Sequence, residues 1–376
     1  LKNGRILVMS VVKFLKRNIV LAVSFVLAVV FMFFVAPSQA YIDYIDFRTL
    51  ALLFCLMCVV AGLNGQGVFH RLASLLVRKT GGTRSVSLTL ILLCFFTSMF
   101  ITNDVALITF VPFTILTFRL CNCGVNILTV VVLETVSANL GSMATPIGNP
   151  QNLYLYNFYD MRLPEFLQAV LPYAALSLVL LVASVLFVHP TQMRLPAMEM
   201  PQGNKVKVVI YVVLFVVVLL SVARVLNVVW AFAAALIVTA LTDRHTLTKI
   251  DYSLLLTFVC LFVFIGNLGH IDVISNYLKS VVQGNEILVG ILASQVFSNV
   301  PSAVLLSGFT SDAAALVTAV NLGGLGTLIA SMASIISFNA INDAEISKGR
   351  YLLIFTAVNV IFLFANILLY IIICIV

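Results

Sequence analysis

Long apolar runs separated by short polar joints set the character of this chain. At about 20 residues per membrane crossing, the runs over 18–36, 48–68, 165–188, 206–222, 226–242, 252–269 and 351–375 predict plain transmembrane helices. Two segments, 69–84 and 271–284, alternate apolar and charged positions and predict helices lying at the interface. Four other stretches are apolar at their ends and polar in the middle.

The fullest of these runs over 125–158, with Ser137-Ala138-Asn139-Leu140-Gly141-Ser142-Met143-Ala144-Thr145-Pro146-Ile147-Gly148-Asn149-Pro150-Gln151-Asn152 at its centre. Pro146 and Pro150 each remove a backbone donor, and Gly141 and Gly148 weaken helix formation, so a helix must break here. A related break is expected over 313–341, around Asn321-Leu322-Gly323-Gly324-Leu325-Gly326-Thr327. The stretches 85–118 and 286–309 are interrupted at Thr102-Asn103-Asp104 and at Ser298-Asn299. The arms of the second of these are too short to span, so both stretches predict re-entrant hairpins. Backbone freed inside hydrocarbon must be buried in protein or line a polar cavity, and broken helices of this kind point to a transporter's substrate site.

The halves of the chain repeat one another. Ile45-Asp46-Phe47 matches Ile250-Asp251-Tyr252, Gly62–Gly67 matches Gly266–Gly269, and Thr102-Asn103 matches Ser298-Asn299. Asn139-Leu140-Gly141-Ser142, then Thr145, recurs as Asn321-Leu322-Gly323-Gly324, then Thr327. Matches in the same order predict an internal duplication. With five crossings between equivalent points the second copy is inverted. The expected fold is an all-α polytopic membrane protein of two inverted-topology repeats. Each repeat carries a re-entrant hairpin and a broken helix, and the whole makes about nine full crossings. The expected division is a cytoplasmic segment 1–17, a first repeat 18–188, a connecting loop and linker span 189–224, and a second repeat 225–376. The run beginning at Ile19 exceeds the roughly 7–15 residues of a signal-peptide core, which predicts an uncleaved first span.

Composition and charge agree with this. Of the 376 residues, 62% are hydrophobic and 9% charged, against about 25% charged in soluble domains. The net charge of +7 follows from loops between spans and implies no nucleic-acid partner. With the N-terminus cytoplasmic, only Arg48, Arg162, Arg224 and Lys279 of the 21 Lys and Arg fall on outer segments. The other seventeen fall inside, which predicts a plasma (inner) membrane protein with its C-terminus outside.

The polar residues of the hairpins and breaks are the candidate substrate- and ion-binding set: Thr102, Asn103, Asp104, Asn139, Gly141, Ser142, Thr145, Gly148 and Asn149 from the first half, and Ser298, Asn299, Asn321, Gly323, Gly324 and Thr327 from the second. Carboxamides and hydroxyls replace the hydration shell of a small ion, and half-helix N-termini favour an anion. Small polar residues also simply let helices approach closely, but four duplicated motifs at paired interruptions favour a site. Asp104 and Glu134 are acids within membrane segments, where a charge is costly, so each is a possible coupling residue. Asp104 alternatively caps the second hairpin arm, and Glu134 alternatively serves a structural hydrogen-bond network. The four histidines lie at loops or span ends and the seven cysteines mostly within apolar runs, so neither a metal site nor a cofactor is expected. Protease patterns and a phosphate-binding GxxxxGK[ST] loop are absent from the sequence, so no enzymatic activity is expected.

Ile101-Thr102-Asn103-Asp104-Val105-Ala106-Leu107 with Val111-Pro112-Phe113, the broken stretch Ser137–Asn152, Ser298-Asn299-Val300-Pro301 and Asn321–Thr327 together resemble the ion-transporter superfamily. That group joins citrate-transporter-like permeases, sodium-coupled divalent-anion symporters and arsenite efflux permeases. The resemblance covers most of the chain from the second span onward. It implies a central site at the hairpin tips, a homodimeric scaffold and elevator-like movement of the hairpin-bearing part. The first tip departs from the Ser-Asn-Thr of the dicarboxylate symporters, because Asp104 would repel a dianion unless protonated or neutralised by a cation. The expectation is a secondary transporter for a small anion, citrate- or dicarboxylate-like or inorganic, coupled to Na⁺ or H⁺, with Na⁺ a possible bound ion. Arsenite or antimonite efflux and Na⁺/H⁺ antiport are the transport alternatives. A channel, or a membrane subunit of a larger complex, is the alternative from another class.

Overall fold

The structure is a computed structural model that describes residues 18–193, 202–343 and 346–375. The segment 1–17 and most of the proline-bearing loop before the linker span lie outside these residues. The described chain is helical: α1 (Ile19–Met32), α2 (Phe47–Gly65), α3 (Val68–Val77), α4 (Thr83–Ile101), α5 (Asn103–Leu120), α6 (Ile127–Ser142), α7 (Pro150–Phe158), α8 (Leu163–Ser184), α9 (Lys205–Val222), α10 (Val228–Asp243), α11 (Tyr252–Gly269), α12 (Asp272–Val282), α13 (Glu286–Phe297), α14 (Asn299–Ser307), α15 (Ala313–Leu322), α16 (Met332–Asp343) and α17 (Lys348–Ile375). Among the described residues nine helices are long and apolar enough to cross a membrane. They make this an all-α polytopic membrane protein. Their surfaces fit lipid: α9 exposes Val206, Val209, Val213, Val216 and Leu220 at steps of three or four, one apolar face of a helix.

These nine helices are not the same set as the nine crossings expected. The arms of the first hairpin, α4 with 19 residues and α5 with 18, are each of crossing length. The first apolar helix, α1, has only 14 residues. The short-arm expectation suits the second hairpin, where α13 has 12 residues and α14 has 9. The interfacial segments form α3 and α12, and the breaks fall between α6 and α7 and between α15 and α16. The paired Ile-Asp motifs have a local cause. Asp46 caps α2 by accepting from Thr49 N at 2.9 Å, and Asp251 caps α11 by accepting from Leu254 N at 3.0 Å, satisfying otherwise orphaned donors.

Helix α8 defines two rims. At its start, Asp160 pairs with Arg224. After its end, the His189 carbonyl accepts from Thr83 Oγ1 at 2.7 Å and from Asn126 Nδ2 at 3.1 Å. Thr83 opens the first hairpin and Asn126 follows it, so both feet of that hairpin stand on one rim. The feet of the second hairpin are joined by Thr310 Oγ1 donating to Glu286 Oε1 at 2.7 Å. Tyr159, beside Asp160, donates to the Thr310 carbonyl at 3.1 Å. The second hairpin therefore stands on the opposite rim.

Candidate functional site

Both hairpin tips have one backbone conformation. Thr102 has φ 70° and ψ 150°, and Ser298 has φ 73° and ψ 157°. A positive φ at a non-glycine residue is strained, more so for β-branched Thr, and persists only where its surroundings enforce it. The enforcing contacts are also duplicated. Asn103 N donates to the Gly148 carbonyl at 3.3 Å, and Asn299 N donates to the Ala330 carbonyl at 2.9 Å. Each Asn then accepts from the next backbone N–H at 3.0 Å, Asp104 N in one tip and Val300 N in the other. Each break thus supplies a carbonyl that locks the tip of its own hairpin.

The glycines and threonines of the motifs hold the breaks against the first hairpin arms. A Cβ at Gly141 would strike the Phe95 carbonyl and Ser98, and one at Gly323 would strike Ser294. Thr145 Oγ1 donates to the Met99 carbonyl, and Thr327 Oγ1 donates to the Gln295 carbonyl at 3.3 Å. Thr145 and Thr327 therefore latch the breaks and do not point into the space between the tips. A Cβ at Gly148 would collide with the Ser142 carbonyl, so this turn needs glycine for close backbone approach.

The asparagines join the two halves. Asn139 Oδ1 accepts from Asn103 Nδ2 at 3.1 Å and from Ser331 Oγ at 3.0 Å. Asn149 Nδ2 donates to Ser142 Oγ at 3.2 Å and to Asn321 Oδ1 at 3.0 Å, and Asn321 Nδ2 donates to Asn152 Oδ1 at 2.6 Å. Asn103, Asn139, Asn149, Asn299 and Asn321 are 2–5% exposed. Buried carboxamides satisfied in this way form a rigid polar centre. Gly324 contributes through its carbonyl, which faces Asn139 Nδ2 at 3.5 Å. Asn103, Asp104, Gln151, Asn299 and Ser331 line a gap of about 10 Å³ between the tips, close to the space one water needs.

Beside the first tip lies a larger cavity of about 380 Å³, a size within the range of small-molecule sites. Its polar lining comes from Thr102, Asp104 and Asn149 at the first tip and break, and from Asn64, Gly65, Lys249 and Asp251. Gly65, Lys249 and Asp251 are exposed, and the neighbouring Gln66 Oε1 accepts from Asn204 N at 3.0 Å. The mouth therefore lies at the end of α2.

The two membrane acids differ. Asp104 does not cap α5: no side-chain cap hydrogen bond forms there, Asn103 Oδ1 takes the Asp104 N–H, and the carboxylate Oδ1 of Asp104 is buried without a hydrogen-bond partner. Glu134 stands apart from the tips, inside the seam of α5 and α6, where Thr114 Oγ1 donates to its Oε1. Its Oε2 has no partner. No group of three or more His, Cys, Asp or Glu able to hold a metal occurs among the described residues.

The candidate set did not include Ser331, Asn152, Gln295, Lys249 or Asp251. Ser331 was available by extending the repeat: it follows Asn321 by ten residues, as Asn149 follows Asn139. Gln295 sits one turn before the second tip and donates from Nε2 to the Gly323 and Leu325 carbonyls at 2.9 Å each. Lys249 and Asp251 reach the cavity from another part of the fold; the repeated Ile-Asp motif marks Asp251 as a helix start and carries no sign of the cavity.

Comparison with known proteins identifies the family. Residues 6–315 match the family model described as citrate transporter. An uncharacterised transporter of Methanocaldococcus jannaschii is 33% identical over 314 residues, covering 82% of this chain and 85% of its own. The inner membrane protein YbiR of Escherichia coli is 31% identical over 307 residues, covering 80% and 82%. The silicon efflux transporter LSI3 of rice (Oryza sativa subsp. japonica) is 31% identical over 138 residues, covering 37% of this chain and 28% of its own. With the family model matched over residues 6–315 and two relatives above 30% identity over most of their length, the chain belongs to the citrate transporter family of membrane transporters.

Proposed function

We propose that this transporter is a secondary active carrier of a small anion, coupled to Na⁺ or H⁺, with its site at the meeting point of the two hairpin tips and the two breaks. The observation that carries the reading is the paired polar centre. Tips of equal, strained conformation are locked by breaks whose asparagines bond across the halves, directly beside a cavity with an exposed mouth. Asparagine carboxamides at Asn103, Asn139, Asn299 and Asn321 suit a partly dehydrated ion. Asp104, with an unpartnered oxygen next to the cavity, is the coupling group, and Glu134 is a second acid that moves with the same seam.

The feet of the two hairpins on opposite rims support an inverted repeat, divided near 18–188 and 225–376 around a linker at 189–224. The distribution of Lys and Arg supports a cytoplasmic N-terminus and an outer C-terminus. The cavity mouth then faces the cytoplasm. A homodimer is the assembly expected of the family.

The test is uptake by purified protein in liposomes. Gradient-dependent accumulation of at least one small anion is expected, and Asn103→Ala should reduce it at least tenfold. Gradient-independent flux, or full activity of Asn103→Ala, would refute the proposal. A second reading, efflux of a hydroxylated metalloid, draws on the Asn-Asp tip and on the rice relative. Arsenite or silicate sensitivity of a deletion strain separates it from anion uptake.

A further inference from the structure

The charges and walls of the 380 Å³ cavity narrow the class of anion, on the footing of the transport reading above. Leu53, Leu56, Met57, Val60, Ile108 and Leu254 make most of its wall aliphatic. Its ionisable groups are Lys249 and Asp251 at the mouth and Asp104 at the tip, one cation against two acids. Asp251 Oδ1 is held as the cap of α11, whereas Oδ1 of Asp104 is buried and unpartnered.

A tricarboxylate in this space would bring three negative charges to a single ammonium, leaving the others with hydrocarbon and the uncharged Asn64, Thr102 and Asn149. Burying unpaired charge in an apolar lining is strongly unfavourable. The complementary ligand has one carboxylate and a compact apolar body. Its head is drawn to Lys249, and its body fills the space between α2 and α5.

We propose that the cavity selects a monocarboxylate with a branched aliphatic or aromatic body over di- and tricarboxylates.

Equilibrium binding and counterflow in proteoliposomes with benzoate, 4-methylpentanoate, succinate and citrate test this, each with and without Na⁺. Benzoate or 4-methylpentanoate should bind at least tenfold more tightly than succinate or citrate. Ile108→Ser, at a position 54% exposed, should weaken the monocarboxylates about tenfold. Lys249→Gln, also at an exposed position, should weaken all carboxylates together. Tighter binding of succinate or citrate, or unchanged monocarboxylate affinity in Ile108→Ser, overturns the selectivity and leaves anion transport standing. Failure of every anion to bind or move overturns both.

Discussion

Asn149 donates from its carboxamide to Oδ1 of Asn321 at 3.0 Å, across 172 residues of sequence. The positions related to them by the repeat make the reciprocal contact: Ser331 donates to Asn139 Oδ1, also at 3.0 Å. The breaks are thus tied to one another twice, and neither hairpin tip can shift without disturbing the half that it does not belong to.

Loss of Asn321 should be the more damaging of the two. Asn321→Ala removes the acceptor of Asn149 and the donor to Asn152 together, whereas Ser331→Ala leaves Asn139 Oδ1 still bonded to Asn103. A stranded buried polar group costs about 1–3 kcal/mol. Thermal unfolding in detergent should therefore fall by several degrees for Asn321→Ala and distinctly less for Ser331→Ala.

Close approach at the first break sets a second expectation. Gly141→Ala forces a methyl onto the Phe95 carbonyl, which is helix backbone and cannot yield, while a Cβ at Gly124 meets nothing within 4 Å. Overpacking of this kind costs about 1–3 kcal/mol. Gly141→Ala should lower the unfolding temperature and the yield of folded protein, and Gly124→Ala should do neither. Gly323→Ala should fall between them, because the atoms it meets first belong to the Ser294 side chain.

The two acids should separate in function. Asp104→Asn keeps the size of the side chain and removes its charge, so the protein should fold and bind substrate but lose the response of uptake to a Na⁺ or pH gradient. Glu134→Gln keeps an acceptor for Thr114 and should retain stability, whereas Glu134→Val strands that hydroxyl and should not. Measured ion dependence of uptake checks the first expectation, and thermal unfolding checks the second.

The rims give a prediction about sidedness. In a background without the accessible native cysteines, Lys249→Cys and Asn204→Cys should react with an impermeant maleimide from the same face of the membrane. Arg162→Cys, near the opposite end of α8, should react from the other face. Labelling of all three from one side would refute the inverted arrangement.

Much of the fold was legible because its signals are local. Pro146, Pro150 and the glycines around them prevent a continuous helix through loss of donors and helix propensity, and the structure breaks there, between Ser142 and Pro150. Asp46 and Asp251 marked the starts of two helices, because a capping carboxylate acts within three residues. The first hairpin was less readable. By analogy with the shorter second pair its arms read as re-entrant, yet each has the length of a full span. Hydropathy reports length and polarity of a segment, and says nothing of where its feet are tied. That information lies in the bonds of Thr83 and Asn126 to one carbonyl at His189.

The sequence by itself determined which segments enter the membrane, where two of them must break, and which polar residues are carried in with them. These follow from the cost of exposing backbone and charge to hydrocarbon, a cost that each segment bears alone. Only the tertiary structure decided that Asn149 meets Asn321 and Ser331 meets Asn139, and that Thr145 and Thr327 serve as latches. It alone brought Lys249 and Asp251 to the mouth of a cavity beside Asp104. The reason is physical: a carboxamide in a buried break accepts any donor that geometry offers, so its partner is chosen by how distant helices pack.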